Sequence, residues 1–259
     1  MTAARVDPPE SNSARFAARP LPGGGTPTHV WLGARRRLPE LDLAACPEIV
    51  VVGAHPDDET FGFGATSTML AGMGVRVQVV SASDGGASHP GLSSAARYRL
   101  ERVRRAELDR AVSALGLPAP ISLGLPDGEI RDHEDRLADV LTEILAARPA
   151  GTWCAATWSG DGHPDHEAVG RAAAVAVGRT GAKLLEYPVW MWHWASPGDA
   201  AVPWERASEV PVTREALGRK EIAAQCFRSQ FEPATLDAAP VIPPAVLRRL
   251  LAVGEVVFR

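Results

Sequence analysis

The stretch Ile49-Val50-Val51-Val52-Gly53-Ala54-His55-Pro56-Asp57-Asp58-Glu59 decides the fold. Four β-branched residues in a row suit a strand buried on both faces, where neither face calls for a polar alternate. Gly53, Pro56 and the acids then interrupt the strand, and residues 60–73 carry a helical pattern. A buried strand that enters a helix through a short polar loop is the opening of a βαβ unit.

Working outward, the same alternation recurs. Strand patterns at 75–80, 121–123, 152–157 and from Lys183 onward alternate with helical patterns at 95–115, 134–147 and 167–179, and Gly116 ends the longest helix. This spacing predicts right-handed crossovers and an α/β fold, a mostly parallel sheet covered by helices, with an irregular C-terminal cap region. In that region Thr213 reads as the N-cap of a helix reaching about Gln225, 245–251 as a short helix and 255–258 as a last strand. Trp190, Trp192 and Trp194 recur at period two, which puts three indoles on one face of an extended segment.

Residues 1–25 are rich in Pro, Gly, Ser, Ala and Arg and show no apolar periodicity, so they read as a disordered or loosely draped arm. The length of 259 residues buries one large core. The expected organisation is therefore a partly disordered arm and lead-in over 1–47 and a single catalytic-size domain over 48–259.

A net charge of −4 removes the electrostatic case for nucleic acid as a partner. There is neither an apolar run long enough for a membrane span nor a secretory h-region, so a cytoplasmic location is expected. Cys46, Cys154 and Cys226 are far apart and read as core residues rather than as metal ligands or a disulfide framework. Lys183 and Lys220 are the only lysines among 27 basic residues, a bias that fits a GC-rich bacterial genome.

In an open parallel sheet, ligands bind outside the carboxyl ends of the strands. The loops at those ends hold the concentrated polar residues: His55 to Glu59, Asp84-Gly85-Gly86, Pro126-Asp127-Gly128 and Asp161 to His166. His55 and Asp58 lie three apart at one helix entry, and His163 and His166 repeat that spacing at another. Imidazoles and a carboxylate with one position left open are the ligand set of catalytic zinc. Asp57, beside such a ligand, is available as a base. A dinucleotide site is excluded, because the turn lacks G-x-G-x-x-G and its carboxylates oppose a pyrophosphate. No G-x-S-x-G is present for a serine hydrolase.

Ala54-His55-Pro56-Asp57-Asp58-Glu59 after a hydrophobic strand, followed about a hundred residues later by His163-Pro164-Asp165-His166, resembles the PIG-L/LmbE-like family of zinc-dependent de-N-acetylases. Weaker agreement extends through Arg104 to Leu108, through Leu125-Pro126-Asp127-Gly128, and from Lys220 to Ser229-Gln230. The resemblance implies a Rossmann-like fold and Zn2+, or Fe2+ or Co2+ in its place, held by His55, Asp58 and His166. It implies Asp57 as general base, His163 as an imidazolium that stabilises the oxyanion, and Asp165 acting on the protonation or orientation of His163. The implied reaction removes an N-acetyl or N-acyl group from an N-acetylglucosamine-containing small molecule or natural-product glycoconjugate. Asp84, Arg104, Asp127, Asp161 and Trp192 are then candidate substrate contacts. Some sugar deacetylases of the family carry a tyrosine where this chain has Asp161, which removes that phenol from the mechanism here. Two alternatives stay open: a mycothiol S-conjugate amidase-like hydrolase of another amide, and an inert binding protein on the same fold. The expected partner is a small amino-sugar conjugate, and a homo-oligomer stays open.

Overall fold

The computed structural model describes residues 10–34, 37–233 and 239–259. The strands are β1 (Glu48–Gly53), β2 (Arg76–Ser83), β3 (Ile121–Leu125), β4 (Trp153–Thr157), β5 (Lys183–Tyr187), β6 (Ala207–Val210) and β7 (Glu255–Phe258). They form one sheet in the order β3-β2-β1-β4-β5-β7-β6. The first five run parallel, and β7 lies antiparallel to both β5 and β6. The helices are α1 (Asn12–Ala17), α2 (Thr28–Gly33), α3 (Asp58–Gly72), α4 (Ser94–Ala114), α5 (Glu134–Ala146), α6 (Pro164–Thr180), α7 (Met191–Trp194), α8 (Arg214–Ala224), α9 (Arg228–Phe231) and α10 (Pro244–Ala252). This is the expected Rossmann-like α/β fold.

All six residues of β1 are buried. Alternation along the strand sends Ile49 and Val51 into one core cluster and Val50 and Val52 into the other. Each such side chain stabilises the fold by about 1.5–3 kcal/mol, which is why a continuous apolar run suits this central strand. The crossovers leave β1 toward β2 and β3 but leave β4 toward β5, so the sheet order reverses between β1 and β4. A crevice opens at such a switch point beyond the strand ends. The two histidine motifs follow these two strands.

Tight packing holds α3 in place. A Cβ on Gly62 would lie 2.1 Å from the Tyr187 ring, so only glycine lets the helix approach β5 this closely. The Tyr187 hydroxyl donates to Val52 O at 2.8 Å. Lys220 on α8 is fully buried, donating to Phe61 O at 2.7 Å and to Glu255 Oε1 at 2.8 Å. Glu255 also accepts from the backbone N–H groups of Ala65 and Thr66 at 2.8 and 2.7 Å.

Three features differ from the sequence reading. The tryptophans at period two do not share a face of an extended segment, because residues 191–194 form α7. Trp192 packs edge-on against Trp31, with centroids 5.0 Å apart, whereas Trp194 stacks on Trp158 at 6.4 Å. The cause is a long-range one: the buried Asp161 carboxylate accepts from the N–H groups of Val189, Trp190 and Met191 and bends the chain there. The edge strand β6, missed by the periodicity, pairs with β7 over only four residues.

The third difference is the arm. Residues 1–9 of that segment lie outside the described residues, but α1 is docked rather than loosely draped. Asn12 donates to Gly160 O at 2.8 Å, Ser13 to Glu167 Oε2 at 3.2 Å, and Arg15 pairs with Asp199 while its guanidinium sits 4.6 Å from the Trp194 ring centre. Among the described residues no helix is long and apolar enough to cross a membrane.

Candidate metal centre

His55 projects from the loop after β1, His166 from the first turn of α6 after β4, and Asp58 is the first residue of α3. One ligand atom from each of His55, Asp58 and His166 lies within 4.8 Å of the others. His166 is fully buried, and its Nε2, 3.2 Å from Asp58 Oδ1, has no hydrogen-bond partner. Leaving a buried polar nitrogen unpaired costs about 1–3 kcal/mol, and a divalent cation between it and the Asp58 carboxylate removes that cost. On the other side of its ring, Nδ1 is 2.9 Å from Asp161 Oδ2. A carboxylate there fixes the tautomer that turns the Nε2 lone pair toward a metal. The residues fit such an ion.

The electrostatics agree. Burial opposes protonation of His55 and His166, yet Asp127, Asp165 and Asp58 hold the pKa of His55 well above its usual value. Asp58 and Asp161 likewise raise that of His166 to about 9. Burial also opposes ionisation of Asp58, but His166 and His55 hold its pKa well below the usual carboxylate range. The cluster thus concentrates negative charge where a cation or two ring protons can use it.

Asp57 occupies the N-cap position of α3, where an aspartate commonly caps the helix with its side chain. Here it makes no such bond. Its φ of 134° lies in a region that disfavours L side chains, a strain of about 1–3 kcal/mol. The carboxylate instead meets Arg104 Nη2 at 3.1 Å. Burial raises its pKa to about 8 against the pull of Arg104, with Asp58 and Glu59 adding repulsion. Glu59, which the sequence reading did not single out, accepts from the Asp57 N–H at 3.1 Å and holds this conformation.

His163 is the N-cap of α6, and its Nδ1 accepts from the Asp165 N–H at 3.2 Å. Burial, then the charges on His166 and His55, pushes its pKa down to about 3. With Nδ1 accepting from that amide, Nε2–H is the donor the ring offers to the cleft. Asp165 orients His163 through its backbone amide. Its carboxylate accepts from Gly128 N at 2.8 Å and Ile130 N at 3.3 Å and lies 3.2 Å from His55 Nε2. His55, His163 and Asp165 form a second group whose ligand atoms converge, but with those two amides already on the Asp165 carboxylate the first group fits a cation better.

The metal group sits in a cleft of about 870 Å³, counting its open mouth. Of the five candidate substrate contacts, Arg104 and Asp127 line it. Arg104 is committed, donating to Gly85 O at 3.0 Å, Pro56 O at 2.8 Å and Asp57. Gly85 must be glycine, since a Cβ there would fall 2.0 Å from Arg104 Nη1. Asp127 accepts from Ala87 N at 2.7 Å and meets His55 Nε2 at 2.9 Å. Asp84, Asp161 and Trp192 do not line the cleft. Asp84 is tied behind it to Arg105 and Ser122, Asp161 is buried behind His166, and Trp192 lines a separate apolar hollow with Trp31 and Trp204. Phe16, Leu21, Trp190, Val241 and Ile242 line the cleft but were not singled out in the sequence. Of these, only Trp190 gave a signal there, in the tryptophan cluster.

Residues 50–177 match the PIG-L family, described as GlcNAc-PI de-N-acetylase, and this span holds both histidine motifs. This segment resembles the PIG-L family. The chain is 31% identical over 189 residues to the 1D-myo-inositol 2-acetamido-2-deoxy-alpha-D-glucopyranoside deacetylase of Mycobacterium sp. (strain JLS), covering 64% of this chain and 60% of that one. It is 31% identical over 134 residues to the probable N-acetyl-alpha-D-glucosaminyl L-malate deacetylase 2 of Bacillus cereus, covering 51% of this chain and 61% of that one. The chain thus spans about 60% of the length of these curated relatives. Among solved structures, a pseudoaglycone deacetylase shares the fold with a TM-score of 0.60 at 20% identity, over 82% of this chain and 96% of that one. A 4-carboxy-2-hydroxymuconate hydratase from Pseudomonas putida shares it with a TM-score of 0.51 at 19% identity, over 71% and 79%. Two such different reactions on one fold leave the chemistry of the PIG-L segment to its side chains.

Proposed function

We propose that the chain is a metal-dependent hydrolase that removes the N-acetyl group from an N-acetylglucosamine-containing small molecule. His55, Asp58 and His166 hold the metal, Zn2+ or in its place Fe2+ or Co2+. The observation that carries the reading is the unpaired Nε2 of His166 facing Asp58 and His55, with the strained Asp57 carboxylate in the same cleft. The names of the Mycobacterium and Bacillus relatives support an N-acetylglucosaminyl conjugate as substrate. A soluble conjugate, met in the cytoplasm, suits a chain whose described helices include no membrane span.

A divalent cation there supplies Lewis acidity toward water and the amide carbonyl. Asp57 takes the proton from the water that adds to the acetyl carbon. The same group then holds that proton and returns it to the departing amine as the C–N bond breaks. The strained backbone and Arg104 keep the carboxylate directed into the cleft. His163 donates its Nε2–H to the carbonyl oxygen as negative charge grows there, a donor contribution of about 3 kcal/mol.

Metal analysis of purified His55→Ala, Asp58→Ala and His166→Ala, together with acetate release from N-acetylglucosamine conjugates, tests the reading. Each variant is expected to lose its metal and its activity, whereas His163→Ala keeps the metal. Unchanged metal content in the first three removes the ligand assignment. A metal-loaded wild type that releases acetate from no conjugate removes the deacetylase reading.

A further inference from the structure

The polar floor and the apolar wall of the cleft come from different parts of the chain. His55, Asp57, Asp58, Arg104, Asp127 and His163 all lie within the matched span 50–177. Phe16, Leu21, Trp190, Val241 and Ile242 all lie outside it, with the buried Gln230 the one polar side chain among them. Three separate segments therefore converge to place large apolar side chains over one metal cluster. The surface is a built one. The Phe16 ring lies 5.2 Å from that of Trp190 and 6.2 Å from that of His163. Arg15 and Asn12 anchor the helix that bears Phe16, Asp161 fixes the backbone at Trp190, and the Ile242 N–H donates to Gln230 O at 2.8 Å.

Charge narrows what this wall can receive. Among the described residues that line the cleft, Arg104 is the one lysine or arginine; its Nη groups donate to Gly85, Pro56 and Asp57, and its unpartnered Nε is buried away from the cleft space. Three aspartates stand on the floor. A carboxylate or phosphate on the substrate would meet no free cationic side chain there, and burying an unpaired charge is costly. A polyhydroxylated group would lose water hydrogen bonds against Phe16, Leu21 and Val241 without replacement. Ligand pockets of this size bury most of what they bind, so whatever is joined to the sugar contacts the wall.

We propose that the cleft selects amino-sugar conjugates whose second half is uncharged and apolar, an aryl or alkyl aglycone seated against Phe16, Leu21, Trp190, Val241 and Ile242. This inference rests on the deacetylase reading and names its substrate class. The arm before the PIG-L segment is then a specificity element, supplying two of the five wall residues.

The test measures acetate release by the metal-loaded full chain from phenyl and octyl N-acetylglucosaminides, against the malate and myo-inositol conjugates. The apolar pair is expected to show kcat/KM higher on the order of tenfold, mainly through KM. Phe16→Ala, Leu21→Ala and Val241→Ser, each checked for native circular dichroism and metal content, are expected to shrink that preference on the order of tenfold by raising KM for the apolar pair. Because Val241 lies far from the arm in sequence, an arm that fails to dock does not mask the result. Malate or inositol conjugates turned over as well as the apolar pair, or a preference that survives all three substitutions, overturns the proposal while leaving the deacetylase reading intact. Acetate release from none of the four overturns both together.

Discussion

The floor and the wall of the cleft meet within a few ångströms, yet they are made in opposite ways. On the floor, side chains come from short motifs at the ends of neighbouring strands, so β1 beside β4 brings His55 next to His166 with little help from the rest of the chain. The wall is assembled by contacts across great sequence separation, such as Asn12 to Gly160 at 148 positions and Arg15 to Asp199 at 184. A local motif constrains chemistry because strand ends fix its geometry. A surface held by scattered contacts can change its side chains while the chemistry beneath it stays.

The sharpest way to break this division is on the floor. Asp57→Asn is expected to keep metal content and native fold while lowering kcat by about 10²–10⁴-fold on every conjugate alike. Single-turnover acetate release checks this, and near-wild-type rates would end the role of Asp57 as base. Asp161 stands between the two regions, since it holds both the His166 ring and the backbone at Trp190. Asp161→Asn is expected to weaken metal affinity by about 10–100-fold and also to shift Trp190 fluorescence. A metal titration with unchanged affinity would separate the ligand from its carboxylate. The smallest effect belongs to the wall. Arg15→Ala removes a partly exposed ion pair worth about 0.2–1 kcal/mol, so the preference for apolar conjugates should fall only severalfold at most, with kcat on each unaltered. A drop in kcat would mean that the arm reaches the chemistry itself.

What was legible in the sequence follows the same line. The five parallel strands, the helices between them, the N-cap at Thr213 and the last strand at residues 255–258 are written in local periodicity and capping residues. That the two histidine motifs meet was legible because strand ends in a parallel sheet must face one edge, whereas the choice of His55, Asp58 and His166 among them is what the family resemblance implies. The helix α1 was not, because a six-residue helix with no buried residue of its own is held by partners more than a hundred positions away. Trp190 to Trp194 read as extended because the period is two, whereas the buried Asp161 carboxylate captures their backbone and overrides it. The lowered pKa of His163 reflects how deeply it is buried among charged neighbours, which spacing does not encode.

The buried pair of Lys220 and Glu255 also bears on when the centre comes into being. Glu255 reaches the α3 backbone at Ala65 from 190 positions away, and α3 begins with Asp58. A chain growing on a ribosome therefore displays its histidine motifs long before the strand that secures α3 has emerged. In that interval the Lys220 ammonium lacks its carboxylate, and the helix bearing the ligand lacks its brace. The brace on the helix that begins with Asp58 is thus completed only after Glu255 has been made, well after both histidine motifs.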